Sequence, residues 1–252
     1  MIYIKSDEEI EKMKKAGHLN YMTREYLKSI IKPGMTTKEI DDLCGEYIES
    51  IGGIAGFKGY GGFPGNICIS VNEEVVHGIP GDRVIKEGDI VSIDVGVICD
   101  GYHSDAAETI PVGKVSKEKE LLIKHTKESL SLGLKEIKDG AKIGNIGARI
   151  ESHAKKHHLG VVRELVGHGV GRDLHEEPDV PNYGKYNTGV TLKKGMVIAV
   201  EPMLTAGKRN IYCLANDWTI VTQDKKPSAH FEHTVLVTED GYEILTGEDY
   251  NG

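Results

Sequence analysis

Apolar residues recur at helical spacing over two stretches near the start of the chain, and each stretch opens on a capping signature. In Ser6-Asp7-Glu8-Glu9 a hydroxyl is placed to accept a backbone N–H while a glutamate three residues on reaches back. This predicts a helix running to about Ile31, where Lys32-Pro33-Gly34 stops it. Thr36 and Glu39 form a second such box. Behind it Ile40, Leu43, Cys44, Tyr47, Ile48 and Ile51 trace one apolar stripe, which Gly52-Gly53 ends. The pattern then changes: a glycine-rich loop with aromatics (56–65) leads into short strands around 67–71 and 89–98.

The second half repeats this plan. Ile31-Lys32-Pro33-Gly34 aligns with Ile137-Lys138-Asp139-Gly140 at an offset of 106, which also puts Ile40 on Ile146. With one residue added, Gly88 falls on Gly195 and Asp94 on Glu201. Each half reads helix, helix, then a strand carrying an acid, as in a duplicated α+β unit packed about a pseudo-two-fold axis. No linker separates the halves, so one catalytic domain (1–252, halves roughly 1–112 and 113–252) is expected.

Composition narrows the class. The chain has 252 residues, 39% hydrophobic and 28% charged, with a formal net charge of -8. No Lys/Arg-rich block interrupts the acidic background, which argues against a specific nucleic-acid partner. No apolar run approaches the roughly 18–20 residues of a membrane span, and no secretory signal is visible. Cys44, Cys68, Cys99 and Cys213 are scattered without a Cys-x-x-Cys pair, which fits reduced thiols in a cytoplasmic protein. With no long exposed heptad, a monomer is expected.

The chemistry lies in acids set among core residues. Ile90-Val91-Ser92-Ile93-Asp94-Val95-Gly96-Val97-Ile98 is apolar on both faces, yet Asp94 sits in its middle. A buried carboxylate must be protonated, paired or bound to a metal. If Asp100-Gly101 is a two-residue hairpin loop, Asp94 pairs with Ala107 and Gly96 with Asp105. The two aspartates are then diagonal neighbours on one face, within roughly 8 Å at the backbone. Such a pair repels unless a cation or an ion-pair partner neutralises it. Glu201 and Glu232 also interrupt apolar runs, and His168 lies in Val166-Gly167-His168-Gly169-Val170-Gly171, where glycines let backbone approach a ligand closely. That loop lacks the Gly-Lys-Ser/Thr ending of a phosphate cradle. Four carboxylates and an imidazole suit manganese, iron or cobalt, with zinc also possible. His153 and His157, one helical turn apart beside two lysines, have no second acid at the right spacing and read as a solvated helix face.

Taken in order, Ser92-Ile93-Asp94-Val95-Gly96, Gly101-Tyr102-His103-Ser104-Asp105, Gly167-His168-Gly169-Val170-Gly171, Glu201-Pro202-Met203 and Glu232-His233-Thr234 resemble the ligand motifs of the methionine aminopeptidases, in their short bacterial type I form. Val76-His77-Gly78-Ile79-Pro80 and His175-Glu176-Glu177-Pro178 match as well, and the resemblance runs from the first helix to the last strand. It implies the pita-bread α+β fold with internal pseudo-two-fold symmetry, two divalent ions and removal of an N-terminal methionine before a small second residue. The nucleophile implied is a metal-bridging hydroxide. Asp94 is then a ligand of one ion, Asp105 and Glu232 bridge both, and His168 and Glu201 complete the other shell. Glu201 is the implied proton shuttle, His175 the hydrogen-bond donor to the scissile carbonyl, and His77 a contact beyond the cut. Tyr60, Phe63, Cys68 and Trp218 are the implied methionine pocket. The chain departs from the common bacterial pattern at Gly61, where a His is frequent, and at Leu174, where a Phe is frequent, which puts the pocket's shape in question. Nascent N-termini are the implied substrate; they suggest a ribosome contact, for which no residue here speaks.

Two relatives of that fold compete. Xaa-Pro peptidases share the five ligands but usually carry an added N-terminal domain, and here 76 residues precede His77. Type II methionine enzymes insert a long segment between the last two glutamates, where this chain has 30 residues. A non-catalytic peptide-binding relative would lack ligands, and all five are present.

Overall fold

The computed structural model describes residues 1–248. Both capping boxes form. Ser6 and Glu9 open α1 (Asp7–Ile30), and Thr36 and Glu39 open α2 (Thr37–Ser50), with backbone and side-chain halves of each box in place. The remaining elements of the first half are β1 (Ile54–Ala55), β2 (Cys68–Val71), β3 (Glu74–Val76), β4 (Ile90–Cys99) and β5 (Tyr102–Pro111). The second half begins with α3 (Lys117–Leu134) and α4 (Gly144–Lys156). Then come β6 (Gly160–Val161), β7 (Gly167–Gly169), β8 (Glu176–Val180), β9 (Val197–Val200), β10 (Met203–Thr205), β11 (Ile211–Cys213), β12 (Ile220–Thr222), β13 (Ser228–His230), β14 (His233–Val237) and β15 (Tyr242–Ile244). Helices and antiparallel sheets coexist in an α+β arrangement.

Two sheets matter for the site. In the first, β4 pairs with β1, β2 and β5; in the second the order is β15-β14-β9-β7-β8. The β4–β5 hairpin turns on Asp100 and Gly101, both at positive φ (50° and 80°), as a type I′ turn requires. Its register is the one expected: Asp94 opposite Ala107 and Gly96 opposite Asp105.

A seam of hydrogen bonds joins β5 of the first sheet to β13 and to β14 of the second sheet. Along β5, alternate residues meet the stretch 230–234 running the other way. His230 N–H donates to the Thr109 hydroxyl (2.8 Å), which donates to the His230 carbonyl (2.9 Å). Glu232 N–H donates to the Ala107 carbonyl (2.9 Å), and Asp105 N–H to the Thr234 hydroxyl (3.0 Å). Threonine hydroxyls thus replace backbone groups in a ladder of alternating partners. One apolar core lies between α1, α2 and the first sheet, including Leu27, Ile40, Ile48, Ile93 and Val95; a second lies between α3, α4 and the second sheet, including Leu134, Ile146, Ile150 and Ile198. The four cysteines are free, three of them buried. Among the described residues no helix is long and apolar enough to cross a membrane.

Candidate metal centre and substrate pocket

The seam brings the five sequence-selected ligands to one place. Asp94 and Asp105 come from β4 and β5, His168 from the middle of β7, and Glu201 from the residue after β9. Glu232 stands in the two-residue break between β13 and β14, held by its N–H on Ala107 rather than by a strand. Asp105, His168 and Glu232 offer ligand atoms within 4.8 Å of one another. His168 Nε2 is 3.7 Å from both Asp105 Oδ2 and Glu201 Oε1. Asp94 lies close enough to Asp105 for each carboxyl to shift the other's titration.

The tautomer of His168 follows from its neighbour. Nδ1 is 2.8 Å from the Gly169 carbonyl, which can only accept, so Nδ1 carries the proton and Nε2 presents a lone pair to the acids. Burial, then His175, pulls the His168 pKa down to about 4, which keeps the ring neutral. The acids behave in the opposite sense. Desolvation pushes Asp94 up to about 7. Asp105, Glu201 and Glu232 are driven well above the carboxylate range by burial first and by one another second. Asp94 Oδ1, Asp105 Oδ1 and Glu232 Oε1 are buried without a hydrogen-bond partner. Four crowded carboxyls, three of them with an orphaned oxygen, and one imidazole lone pair form the donor set of divalent cations, so the residues fit a metal centre.

The glycines around His168 also serve the packing of the sheet. A Cβ on Gly167 would stand 2.3 Å from the Ala199 carbonyl, and one on Gly169 would stand 2.3 Å from the Glu177 carbonyl. They allow neighbouring strands to close on β7. The space above Gly96 is likewise not open, because a Cβ there would lie 2.5 Å from the Phe57 ring.

A cavity of about 130 Å³ reaches the acids from the surface and is walled by Phe57, Tyr60, Phe63, Cys68, His77, Leu174, His175 and Trp218. All six of the sequence-selected pocket and substrate residues are therefore present. Cys68 pairs directly with Asp94 across β2 and β4, so thiol and carboxylate share one face. The Asp41 carboxylate fixes the entry to β2 by accepting from the N–H groups of Asn66 (2.7 Å) and Ile67 (3.1 Å). Phe63 meets Trp218 edge to face at 5.1 Å, and Asn216 Oδ1 accepts from Trp218 N–H and Thr219 N–H to hold that loop. Gly61 takes φ +56°, and a Cβ on it would touch the Trp218 ring at 3.4 Å. Leu174 is buried in the wall. The Tyr60 hydroxyl lies 2.7 Å from His175 Nδ1.

Three participants escaped the sequence reading. His230, buried at the end of β13, places Nε2 3.7 Å from Glu201 Oε2 and 3.8 Å from Glu232 Oε2. Burial, then His77, drives its pKa down to about 3. Asn182 donates to the Glu201 carbonyl at 3.0 Å. Phe57 is the third. A histidine two residues before Glu232 is the available signal for His230. His153 and His157 also differ from expectation: they are not a solvated face, since His125 of α3 packs against them and the His153 side chain is only 12% exposed.

Comparison with known proteins agrees with this geometry. The signature of metallopeptidase family M24 matches residues 11–239. Methionine aminopeptidase 1 of Bacillus subtilis (strain 168) is 52% identical over 98% of this chain and 99% of its own length. Methionine aminopeptidase of Clostridium acetobutylicum is 47% identical, with 98% and 99% covered. The crystal structure of methionine aminopeptidase from Rickettsia prowazekii superposes with a TM-score of 0.96 at 44% identity, over 98% of this chain and all of that one. Prolidase from Pyrococcus furiosus superposes at 0.77 with 24% identity, covering 98% of this chain and 66% of the other, a likeness of fold alone. The pita-bread α+β expectation holds. With its ligand cluster, its pocket and these relatives, the chain belongs to metallopeptidase family M24 and, within it, to the methionine aminopeptidases.

Proposed function

We propose that Asp94, Asp105, His168, Glu201 and Glu232 hold two divalent ions and that this centre removes methionine from the N-termini of chains whose second residue is small. The observation that carries it is the convergence of three buried carboxyls, the part-buried Glu201 and one neutral imidazole at the end of an apolar pocket. Bound ions supply Lewis acidity and make water nucleophilic near neutral pH.

The protein's own residues supply the rest. Pairing of Cys68 with Asp94 sets the free amine of the substrate next to the wall that receives its first side chain. A thioether gains apolar area and sulfur–aromatic contact among Phe63, Cys68, Leu174 and Trp218. Glu201, facing both His168 and His230, takes the proton of the attacking water and returns it to the leaving amine. When the Tyr60 hydroxyl donates to His175 Nδ1, the remaining ring proton sits on Nε2 and can be donated to the scissile carbonyl oxygen as charge develops there. His77, held at φ 57° on the cavity rim, contacts the peptide beyond the cut. In the cell the substrates are nascent N-termini, the compartment is the cytoplasm and the acting species is a monomer of one domain, met at the ribosome.

A metal add-back assay over a peptide panel tests this. Stripped protein should be inactive; manganese, cobalt, iron or zinc should restore cleavage of Met-Ala-Ser but not of Met-Leu peptides. Faster cleavage of Ala-Pro, or turnover that resists chelator, would pass the assignment to another chemistry.

A further inference from the structure

Away from the catalytic cavity, α3 and α4 bring three histidines together. His153 and His157 are one turn apart at the end of α4, and His125 comes from α3. One ring nitrogen of each lies within 4.8 Å of those of the other two. The His125 and His157 rings lie nearly parallel, centroids 3.6 Å apart, and His153 is 4.6 Å from His157. Glu128, one turn beyond His125, places Oε2 2.9 Å from His125 Nδ1 and 3.3 Å from His153 Nε2. That Nε2 is buried yet makes no hydrogen bond.

We propose that His125, Glu128, His153 and His157 form a second metal site, selective for ions of the zinc and nickel kind. Packing of a helical hairpin does not call for three imidazoles at one point, whereas imidazole nitrogen and carboxylate oxygen are both donors that zinc accepts. Spacing supports it: His153 on α4 and His157 at its C-cap (i, i+4) face His125 of α3, and Glu128 (i+3 from His125) sets a carboxylate beside two of the three imidazoles. Burial and the neighbouring rings lower the pKa of His153 and His157, so both are neutral and ready to ligate near pH 7. Bonds of roughly 2.0–2.1 Å require the donors to draw together through rotamer changes, which side chains bordering solvent can make. Lys124, 3.8 Å from Glu128, must release that carboxylate, and Lys155 and Lys156 face solvent nearby. Three imidazoles and one carboxylate differ from the carboxylate-rich catalytic set, so the two sites should sort ions by softness.

The test is calorimetric titration of chelator-stripped protein with zinc chloride at pH 7.5. Wild type should take up one equivalent more than His157→Gln. Glu128→Gln, at a side chain 41% exposed, should fold normally and bind that equivalent weaker by at least the ~10–100-fold that even outer-shell partners are worth. Manganese-supported peptidase rate should be unchanged in both variants, since neither residue touches the cavity. Equal stoichiometry and affinity in all three proteins would overturn the site.

Discussion

The Thr234 hydroxyl holds Asp105 from both sides of its peptide unit, accepting from its N–H at 3.0 Å and donating to its carbonyl at 2.7 Å. One side chain of the second sheet therefore fixes the backbone that carries a proposed metal ligand on the first. Thr234→Val keeps the shape and removes both bonds, leaving a buried donor and acceptor unsatisfied. The cost should be ~1–3 kcal/mol in urea unfolding. Metal affinity should fall as well, which a chelator competition would detect; wild-type affinity with lowered stability would confine Thr234 to the fold.

The pH dependence of the metal-stripped protein has a calculable sign. His168 and His230 have lowered pKa values in the folded state (about 4 and about 3), so their stability contribution is lost as pH falls below their ordinary value of 6.5. Above 6.5 they are neutral folded and unfolded, and drop out. The acids have raised folded values, so their contribution is complete below about 4 and is lost as pH rises through the folded values, Asp94 at about 7 and the others well above the ordinary carboxylate range. From pH 6.5 to 8.5 the stripped protein should therefore lose stability, and Glu232→Gln should flatten the slope. Saturating metal should reverse it, because ions bind the deprotonated ligands. Urea midpoints at the two pH values decide the matter.

Gly96 lies beneath the Phe57 ring. Gly96→Ala puts a methyl 2.5 Å from that ring, so the ring must move at the edge of the cavity. Overpacking of this kind costs ~1–3 kcal/mol. Both stability and kcat/KM should drop, and Phe57→Leu in the same chain should restore part of the stability. Additive losses in the double variant would mean the two positions do not clash.

Lys5 and Glu176 form an ion pair with both side chains about 95% buried. The other Glu176 oxygen accepts from Arg172 N–H (2.9 Å) and so latches the loop bearing Leu174 and His175. Lys5→Met strands a buried carboxylate at a cost of ~3–5 kcal/mol. Adding Glu176→Gln should regain most of the stability while the turnover of Met-Ala-Ser stays low, because the loop is no longer held by charge. Full activity in the double variant would remove the latch from the argument.

Much of this arrangement is legible in the amino-acid sequence. Local chemistry specified both capping boxes and the Asp100-Gly101 turn, and the turn fixed a register that placed Asp94 and Asp105 on one face. What stayed hidden depends on long-range contact. His230 has the neighbourhood of an ordinary strand residue until β10 and β13 pair and bring it beneath Glu201. His125 is an unremarkable helical position until α3 lies against α4. The glycines beside His168 are a signal of close approach whose partner the sequence does not name: at Gly167 and Gly169 the structure shows that neighbouring strands approach.

The seam has an architectural corollary. Asp94 and Asp105 precede the exposed turn at Gly113-Lys114, and His168, Glu201 and Glu232 follow it. A chain cut there would yield two fragments, neither with a full ligand set, that meet along Asp105, Ala107 and Thr109. Catalysis in a mixture of the two would then count reassembled molecules, and metal concentration would tune how tightly the pieces recombine.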